Sequence, residues 1–163
     1  MQLRSDNSVP AVILGMDDPS SLGVMRCLAE CGVPLAGVDY TTDRRYAFKS
    51  RFLKHAFLVP HTHDGVLRIL DRKELSGNVL LPVNDHFVAS TSRFKEKLSK
   101  HFRLFTPAWS VIRKCLDKWE MYLHACSLGI PTPRTFCPAT PAELNALLGS
   151  EILRKGSWLV KPR

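Results

Sequence analysis

The order of apolar runs and turns constrains the fold of this chain more than any other feature. Residues 11–16 read AVILGM, an apolar run of strand length, and residues 34–39 read PLAGVD. Between them, apolar residues recur at helical spacing and Gly32 stands where a left-handed helix cap would lie. A strand, a helix and a second strand in this order predict a parallel βαβ unit whose first strand is buried on both faces.

The same alternation continues towards residue 106. It predicts a third strand at residues 56–59, a helix capped by His63 or Asp64, a fourth strand at 79–83, a helix from Phe87 to Leu98 and a short strand at 103–105. We therefore predict an α/β fold with a parallel sheet, in which a Rossmann-like domain spans residues 9–106 and follows a polar tail at 1–8.

The pattern changes after residue 106. An amphipathic helix is predicted from Asp117 to Leu128, with Trp119, Tyr122, Leu123 and Cys126 facing inward. Thr140, Pro141 and Glu143 have the spacing of a capping box and predict another helix. Residues 157–160 read SWLV and predict a final buried strand, which Lys161 follows. An unpaired edge on that strand would leave the last third of the chain mobile or bound to a second copy.

Composition limits the functional classes. Hydrophobic residues make up 45% of the 163 residues, which is typical of a globular protein. No apolar run is long enough to span a bilayer and the N-terminus lacks an apolar signal core, so we expect a cytoplasmic protein. The five cysteines have no zinc-type spacing and are predicted to be buried, reduced thiols. The net charge of +8 suits polyanionic ligands, but no nucleic-acid-binding motif accompanies it.

Several loops carry polar residues that could bind ligands. The turn after the first strand has Asp17 and Asp18 where a dinucleotide-binding turn needs open amides, which argues against NAD or FAD. Asn84 and Asp85 follow a strand at the carboxyl edge of the sheet, where α/β folds bind ligands; Asp85 as a helix cap is the alternative. His61 lies close to His63, but two histidines without a third ligand do not predict a metal site.

Two lysines are the remaining candidates. Lys161 follows an apolar run, so its ammonium group needs a nearby anion, which is either a local carboxylate or a bound phosphate. Lys118 begins a predicted helix, where exposure to solvent is the default.

Five segments, in order, resemble the N-terminal part of ATP-grasp enzymes of the carboxylate–amine ligase and carbamoyl-phosphate-synthase-like branch. They read ILGMDDPSSLGVMRCLAECGVPLAGVD, RRYAFKSRF with FLVP, LLPVNDHFVAST, LDKWEMYLHACSLGIPTPRTF and WLVKPR. The resemblance implies that residues 9–106 form a pre-ATP-grasp domain, and that residues 107–163 form a linker and the first, incomplete part of an α+β ATP-grasp domain.

The resemblance also implies a chemistry. Lys118 and Lys161 would contact ATP, and a carboxylate would be activated as an acyl phosphate before an amine attacks it. Asn84 and Asp85 are candidate substrate contacts because of their position at the carboxyl edge of the sheet, not because of the resemblance. The magnesium ligands would lie in a C-terminal part beyond residue 163. We expect a fragment of a longer ligase that is inactive alone, with ATP, a small carboxylate and a second copy of the chain as partners, and with neither nucleic acid nor membrane. The alternative is a non-catalytic α/β module whose basic surface binds an acidic partner domain or nucleic acid.

Overall fold

A computed structural model describes residues 9–40 and 47–161 of the chain. The chain divides into two compact units, one up to Ile112 and the other from Arg113 onward. The predicted polar tail lies outside the described residues, as does most of the basic segment that precedes Ala47.

The first unit is built on a parallel sheet. Within the described ranges it has five strands in the order β3-β2-β1-β4-β5, and every neighbouring pair is parallel. The prediction of an α/β fold with a Rossmann-like parallel sheet is therefore confirmed. The strands are β1 (Ala11–Leu14), β2 (Leu35–Asp39), β3 (Leu53–Leu58), β4 (Val79–Pro82) and β5 (Arg103–Leu104).

Helices cover the sheet and connect its strands. In the first unit they are α1 (Pro19–Glu30), α2 (Asp85–Arg93) and α3 (Lys95–Leu98), with short 3-10 helices at Ala47–Lys49, His63–Asp71 and Lys73–Leu75. The helix α4 (Trp109–Leu116) runs across the boundary between the units. The second unit holds α5 (Lys118–Ser127), α6 (Pro141–Gly149) and α7 (Glu151–Arg154).

The core lies on both faces of the sheet. Val12 and Leu14 of β1 pack in one buried cluster with Phe87 of α2, whereas Ala11 and Ile13 pack in another with Met25 of α1. Successive side chains of a strand point to opposite faces, so a strand between two helical layers must be apolar at every position. All four residues of β1 are buried, as the run AVIL predicts.

Three local predictions for the first unit were wrong. The third strand begins at Leu53 rather than at residue 56. The segment His63–Asp71 is a 3-10 helix preceded by Thr62, so neither His63 nor Asp64 caps it. Glycine is required at position 65 of this helix, because a Cβ atom there would collide with the Pro60 carbonyl oxygen.

The capping box of the second unit is present. Thr140 Oγ1 accepts a hydrogen bond from the Glu143 amide at 3.2 Å, and Glu143 Oε2 accepts one from the Ala139 amide at 2.7 Å. These bonds satisfy backbone donors at the start of α6 that have no partner within the helix.

The predicted final strand is absent. Residues 157–161 are irregular, and Val160 is 92% exposed. A strand needs a neighbour to satisfy its backbone groups, and among the described residues none pairs with this segment. The prediction that Lys161 ends a buried strand is therefore wrong, and Lys161 itself is exposed.

Predicted burial also failed in two other places. In α5, Trp119 and Tyr122 are half-buried and stack at 5.2 Å, but Leu123 and Cys126 are exposed. The helix has no buried residue, because the second unit offers it too little apolar surface to cover a full face. The thiols were predicted to be buried, yet four of the five cysteines are exposed and Cys137 is half-buried.

Candidate functional site

A cleft opens at the carboxyl edge of the sheet, beside the ends of β1, β2 and β4. The chain runs from β1 to β2 and β3 on one side, and then returns to place β4 and β5 on the other. The connections after β1 and β4 therefore diverge, and α/β sheets bind ligands in the crevice at such a point. The cleft measures about 500 Å³ and is lined by Asp17, Asp18, Pro19, Tyr40, Val83, Asn84, Asp85 and His86.

Gly15 lets the two diverging loops approach each other. Its φ is 102°, in a backbone region that residues with a Cβ atom rarely adopt. A Cβ atom added at Gly15 would lie 2.6 Å from Asn84 Nδ2 and 3.0 Å from Asn84 Cγ. Glycine is therefore required here on two counts, by the backbone conformation and by the space that Asn84 occupies.

Asn84 and Asp85 both line the cleft, as their position after β4 suggests. Asn84, rather than Asp85, caps α2: its Oδ1 accepts a hydrogen bond from the Phe87 amide at 3.0 Å. Asp85 is the first helical residue and is exposed. The sequence prediction of Asp85 as the cap was wrong by one residue, because either side chain can accept the same amide hydrogen bond.

The opposite wall of the cleft is acidic. Asp18 caps α1 by accepting a hydrogen bond from the Ser20 amide at 2.7 Å. Hydrogen bonds from Ser20 hold the pKa of Asp18 below its usual range, so the carboxylate is charged at neutral pH. With Asp17 and Asp85 beside it, the cleft repels phosphate groups and offers oxygen acceptors to hydrogen-bond donors.

Asp39 binds the backbone of two residues that line the cleft, Asp17 and Tyr40. It is fully buried at the end of β2, and its two carboxylate oxygens accept hydrogen bonds from the amides of Asp17 and Tyr40, each at 2.6 Å. Short bonds to a charged acceptor are among the stronger ones in proteins. Asp39 therefore fixes the position of the loop after β1 relative to the end of β2.

A cluster of rings adjoins the cleft, and the sequence did not reveal it. Tyr40 stacks on His61 with ring centroids 3.8 Å apart, and His86 lies 4.8 Å from His61 and 5.0 Å from His63. The only signal was that these residues follow the carboxyl ends of β2, β3 and β4. Across the described part of the chain, no three His, Cys, Asp or Glu side chains are arranged to hold a metal ion.

Hydrogen bonds fix the tautomer of His63. The Ser90 hydroxyl donates to the His86 carbonyl oxygen at 2.8 Å, so it must accept from His63 Nδ1, which lies 3.0 Å away. Neutral His63 thus carries its proton on Nδ1. Burial, followed by the charge of Arg93, lowers the pKa of His63.

His86 is also held neutral. Burial lowers its pKa first, the neighbouring His63 and His61 lower it further, and a hydrogen bond with the Thr62 backbone opposes the shift. Burial raises the pKa of Tyr40, and Asp17, Asp39 and Asp18 raise it further. His63, His86 and Tyr40 are therefore uncharged at neutral pH.

The two candidate lysines lie in the second unit. Lys118 is the first residue of α5 and is exposed. Asp117 caps that helix by accepting hydrogen bonds from the amides of Trp119 and Glu120 at 2.9 and 3.0 Å. These amides are already used, so Lys118 could attract a phosphate only by its own charge. Lys161 is exposed in the irregular segment after α7.

Solved structures resemble this fold. One is the biotin carboxylase domain of a single-chain bacterial carboxylase, at 16% identity and a TM-score of 0.58, covering 86% of this chain and 34% of that one. Another is the ADP complex of purK, N5-carboxyaminoimidazole ribonucleotide synthetase, at 15% identity and a TM-score of 0.58, covering 85% and 34%.

A third is the biotin carboxylase domain dimer of the Hydrogenobacter thermophilus 2-oxoglutarate carboxylase, in complex with MgADP, ADP and bicarbonate. It has 16% identity and a TM-score of 0.54, and the match covers 84% of this chain and 32% of that one. The chain therefore spans about a third of the length of each of these structures. No protein-family model matches the chain, and neither does any curated protein sequence.

The fold thus defines the chain as an α/β protein with a Rossmann-like N-terminal domain. The solved structures that share this fold include two biotin carboxylase domains and N5-carboxyaminoimidazole ribonucleotide synthetase, all at 15–16% identity. None of the helices in the described ranges is long and apolar enough to cross a membrane.

Proposed function

We propose that this chain is the N-terminal portion of an ATP-dependent carboxylate–amine or related ligase, which acts through an acyl-phosphate intermediate. The observation that carries the proposal is the cleft at the divergence of β1 and β4, in a fold shared with ATP-grasp enzymes. The chain alone is proposed to be inactive, with a C-terminal part of a longer protein completing the site.

In this proposal the cleft binds the substrate that does not carry the transferred phosphate. Asn84 and Asp85 are the proposed contacts. The oxygen of Asp85 and the amide of Asn84 suit hydroxyl and amino groups, and the acidic wall beside them disfavours a polyphosphate. This assignment is supported by the lining of the cleft, which both residues share with Asp17 and Asp18.

Lys118 and Lys161 are the proposed nucleotide contacts. Both are exposed, so their ammonium groups are accessible to a phosphate, and a lysine needs no fixed geometry to act as a point charge. When bound, magnesium–ATP would supply the phosphoryl group that activates the carboxylate. The resemblance to ATP-grasp enzymes is the reason why the proposal places the magnesium ligands in the C-terminal part.

Calorimetric titration of the full-length protein with magnesium–ATP tests the lysines. Lys118→Ala and Lys161→Ala should each weaken binding about tenfold or more, the scale of one lost charge-assisted contact. Lys114→Ala and Lys155→Ala are matched controls, because both lysines are also exposed; Lys114 lies in α4 and Lys155 directly follows α7. Equal affinities in all four variants would remove Lys118 and Lys161 from the nucleotide site.

The net charge of +8 favours a second candidate, a non-catalytic module that binds an acidic partner or nucleic acid. Such binding would weaken steeply as salt rises, because neutralised phosphates release counterions. Retention of the 163-residue chain on a nucleic-acid column, measured from low to high salt, separates the two. A steep slope without any magnesium–ATP binding by the full-length protein would favour the module.

A further inference from the structure

We propose that His86 is the base that accepts a proton from the attacking amine in the cleft. The inference rests on the proposed ligase function and adds a catalytic residue to it. His86 lines the cleft directly, one residue after Asp85. His63, His61 and Ser90 are positioning residues, since they act on the orientation and charge of His86 rather than on the amine.

The His86 ring is fixed on two sides. A hydrogen bond joins it to the Thr62 backbone, and because this bond favours the protonated ring, the ring nitrogen donates to the Thr62 carbonyl oxygen. The His63 ring stacks on it at 5.0 Å with an angle of 15° between the planes. One ring nitrogen of neutral His86 is thus committed as a donor, which leaves the other as an acceptor.

The positioning of His63 depends on Ser90. The Ser90 side chain is fully buried, and its hydroxyl proton goes to the His86 carbonyl oxygen. Ser90 Oγ must therefore accept the His63 Nδ1 proton. A protonated His63 would place a charge next to His86 and weaken it as a base. The bond to Ser90 keeps the neutral tautomer of His63 well defined.

The surroundings match the task of a base. Burial, followed by the neighbouring His63 and His61, lowers the pKa of His86, so the ring is uncharged at neutral pH. The nearby charges include Asp85 on the same helix, Asp64 beside His63, and Arg93 at the end of α2. Tyr40 packs against the ring at 4.9 Å and stays protonated. A base is useful only if it is unprotonated when the substrate binds.

The proposed step is the attack of the amine on the acyl phosphate. The amine nitrogen forms a bond to the acyl carbon of the acyl phosphate, and the bond from that carbon to the phosphate oxygen breaks. Phosphate leaves with the electron pair of the broken bond. The extra proton on the nitrogen passes to the free nitrogen of His86, and the imidazolium then releases it to water.

Two nucleophiles separate this role from the rest of the reaction. The full-length protein is incubated with magnesium–ATP and each of the common amino acids as the carboxylate. Hydroxylamine traps an acyl phosphate as a hydroxamate, and a second amino acid tests amide formation. Hydroxylamine is uncharged and strongly nucleophilic at neutral pH, so its attack depends little on a base.

His86→Gln should keep hydroxamate formation within about twofold and lower amide formation by about 10²–10⁴-fold. Glutamine can still donate to the Thr62 carbonyl but cannot take up a proton. The acidic limb of the pH profile for amide formation should disappear. His101→Gln, at an exposed histidine of the same unit, should leave both rates unchanged.

The two product measurements separate the role of His86 from the ligase proposal. Unchanged amide formation and an unchanged pH profile in His86→Gln would overturn the role of His86 and leave the ligase proposal standing. Absence of both products from the unmodified protein would reject the ligase proposal, and the inference with it.

Nitrogen NMR of the histidine rings in this chain is a further check. His86 should be neutral and in one tautomer at pH 7, whereas Ser90→Ala should give His63 two tautomers. A charged His86 would overturn the inference even if Gln at this position disturbed folding.

Discussion

Replacing Gly15 by alanine tests whether the divergence of β1 and β4 is built as the structure indicates. The backbone φ of 102° at Gly15 is strained for alanine. The new Cβ atom would also lie 2.6 Å from Asn84 Nδ2. Asn84 cannot turn aside without cost, because its Oδ1 is bonded to the Phe87 amide and caps α2.

The two effects can be estimated separately. Holding a residue with a Cβ atom in an unfavourable backbone region costs about 1–3 kcal/mol. Losing the Asn84 cap costs about 0.5–2 kcal/mol. Because the collision forces either a backbone shift or the loss of the cap, Gly15→Ala should lower the free energy of unfolding by roughly 2–4 kcal/mol.

Urea unfolding followed by circular dichroism measures this change, and Gly23→Ala is the matched control. Gly23 lies inside α1, and an added Cβ atom there would meet nothing within 4 Å. Gly23→Ala should therefore stabilise the first unit by about 0.5–1 kcal/mol. The two substitutions should move the midpoint in opposite directions. A midpoint for Gly15→Ala equal to that of the unmodified chain would refute the close approach to Asn84.

Two further perturbations follow from the same site. The folded state lowers the pKa of His63 and of His86 below the unfolded value of about 6.5, so the stability they contribute is complete above that pH and is lost as the pH falls below it. The urea midpoint should therefore drop between pH 7.5 and pH 5, and the double change to glutamine should flatten this dependence; a midpoint that rises on acidification would contradict it. Asp39→Asn removes one of two acceptors for short backbone hydrogen bonds, and should cost about 1–3 kcal/mol in a thermal or urea melt; a change within error would show that Asp39 does not fix the loops.

The sequence predicted the sheet because each strand carries its own signal. Val12 and Ile13 stand in an apolar run too short for a helix, and burial on both faces follows from that run. The cap at Thr140 was predictable for the same reason, since all its partners lie within four residues. Such features depend on contacts between residues that are close in the chain.

Two of the features that the sequence did not predict depend on contacts between distant residues, and a third, the cap of α2, is local. The run at 157–160 has the composition of a strand, but a strand exists only if a neighbour pairs with it. The ring contacts of His86 with His61 and His63 join two segments that β4 separates in the chain. The sequence predicted Asp85 as the cap instead of Asn84, and it cannot separate the two because either side chain can accept the amide hydrogen bond. Only the backbone geometry decides between them.

The charges of the chain argue for two separate ligand positions rather than one. Asp17, Asp18 and Asp85 line the cleft, and a triphosphate placed there would face carboxylates at short range. Repulsion between like charges in a partly desolvated site is far stronger than in bulk water. Lys118 and Lys161 are exposed in the second unit and are the proposed phosphate contacts. A ligase needs both kinds of surface, because it brings a polyanion together with an amine. In the proposed step, the neutral His86 would suit the cleft better than a lysine, since it would take up a proton without adding a permanent charge beside the incoming amine.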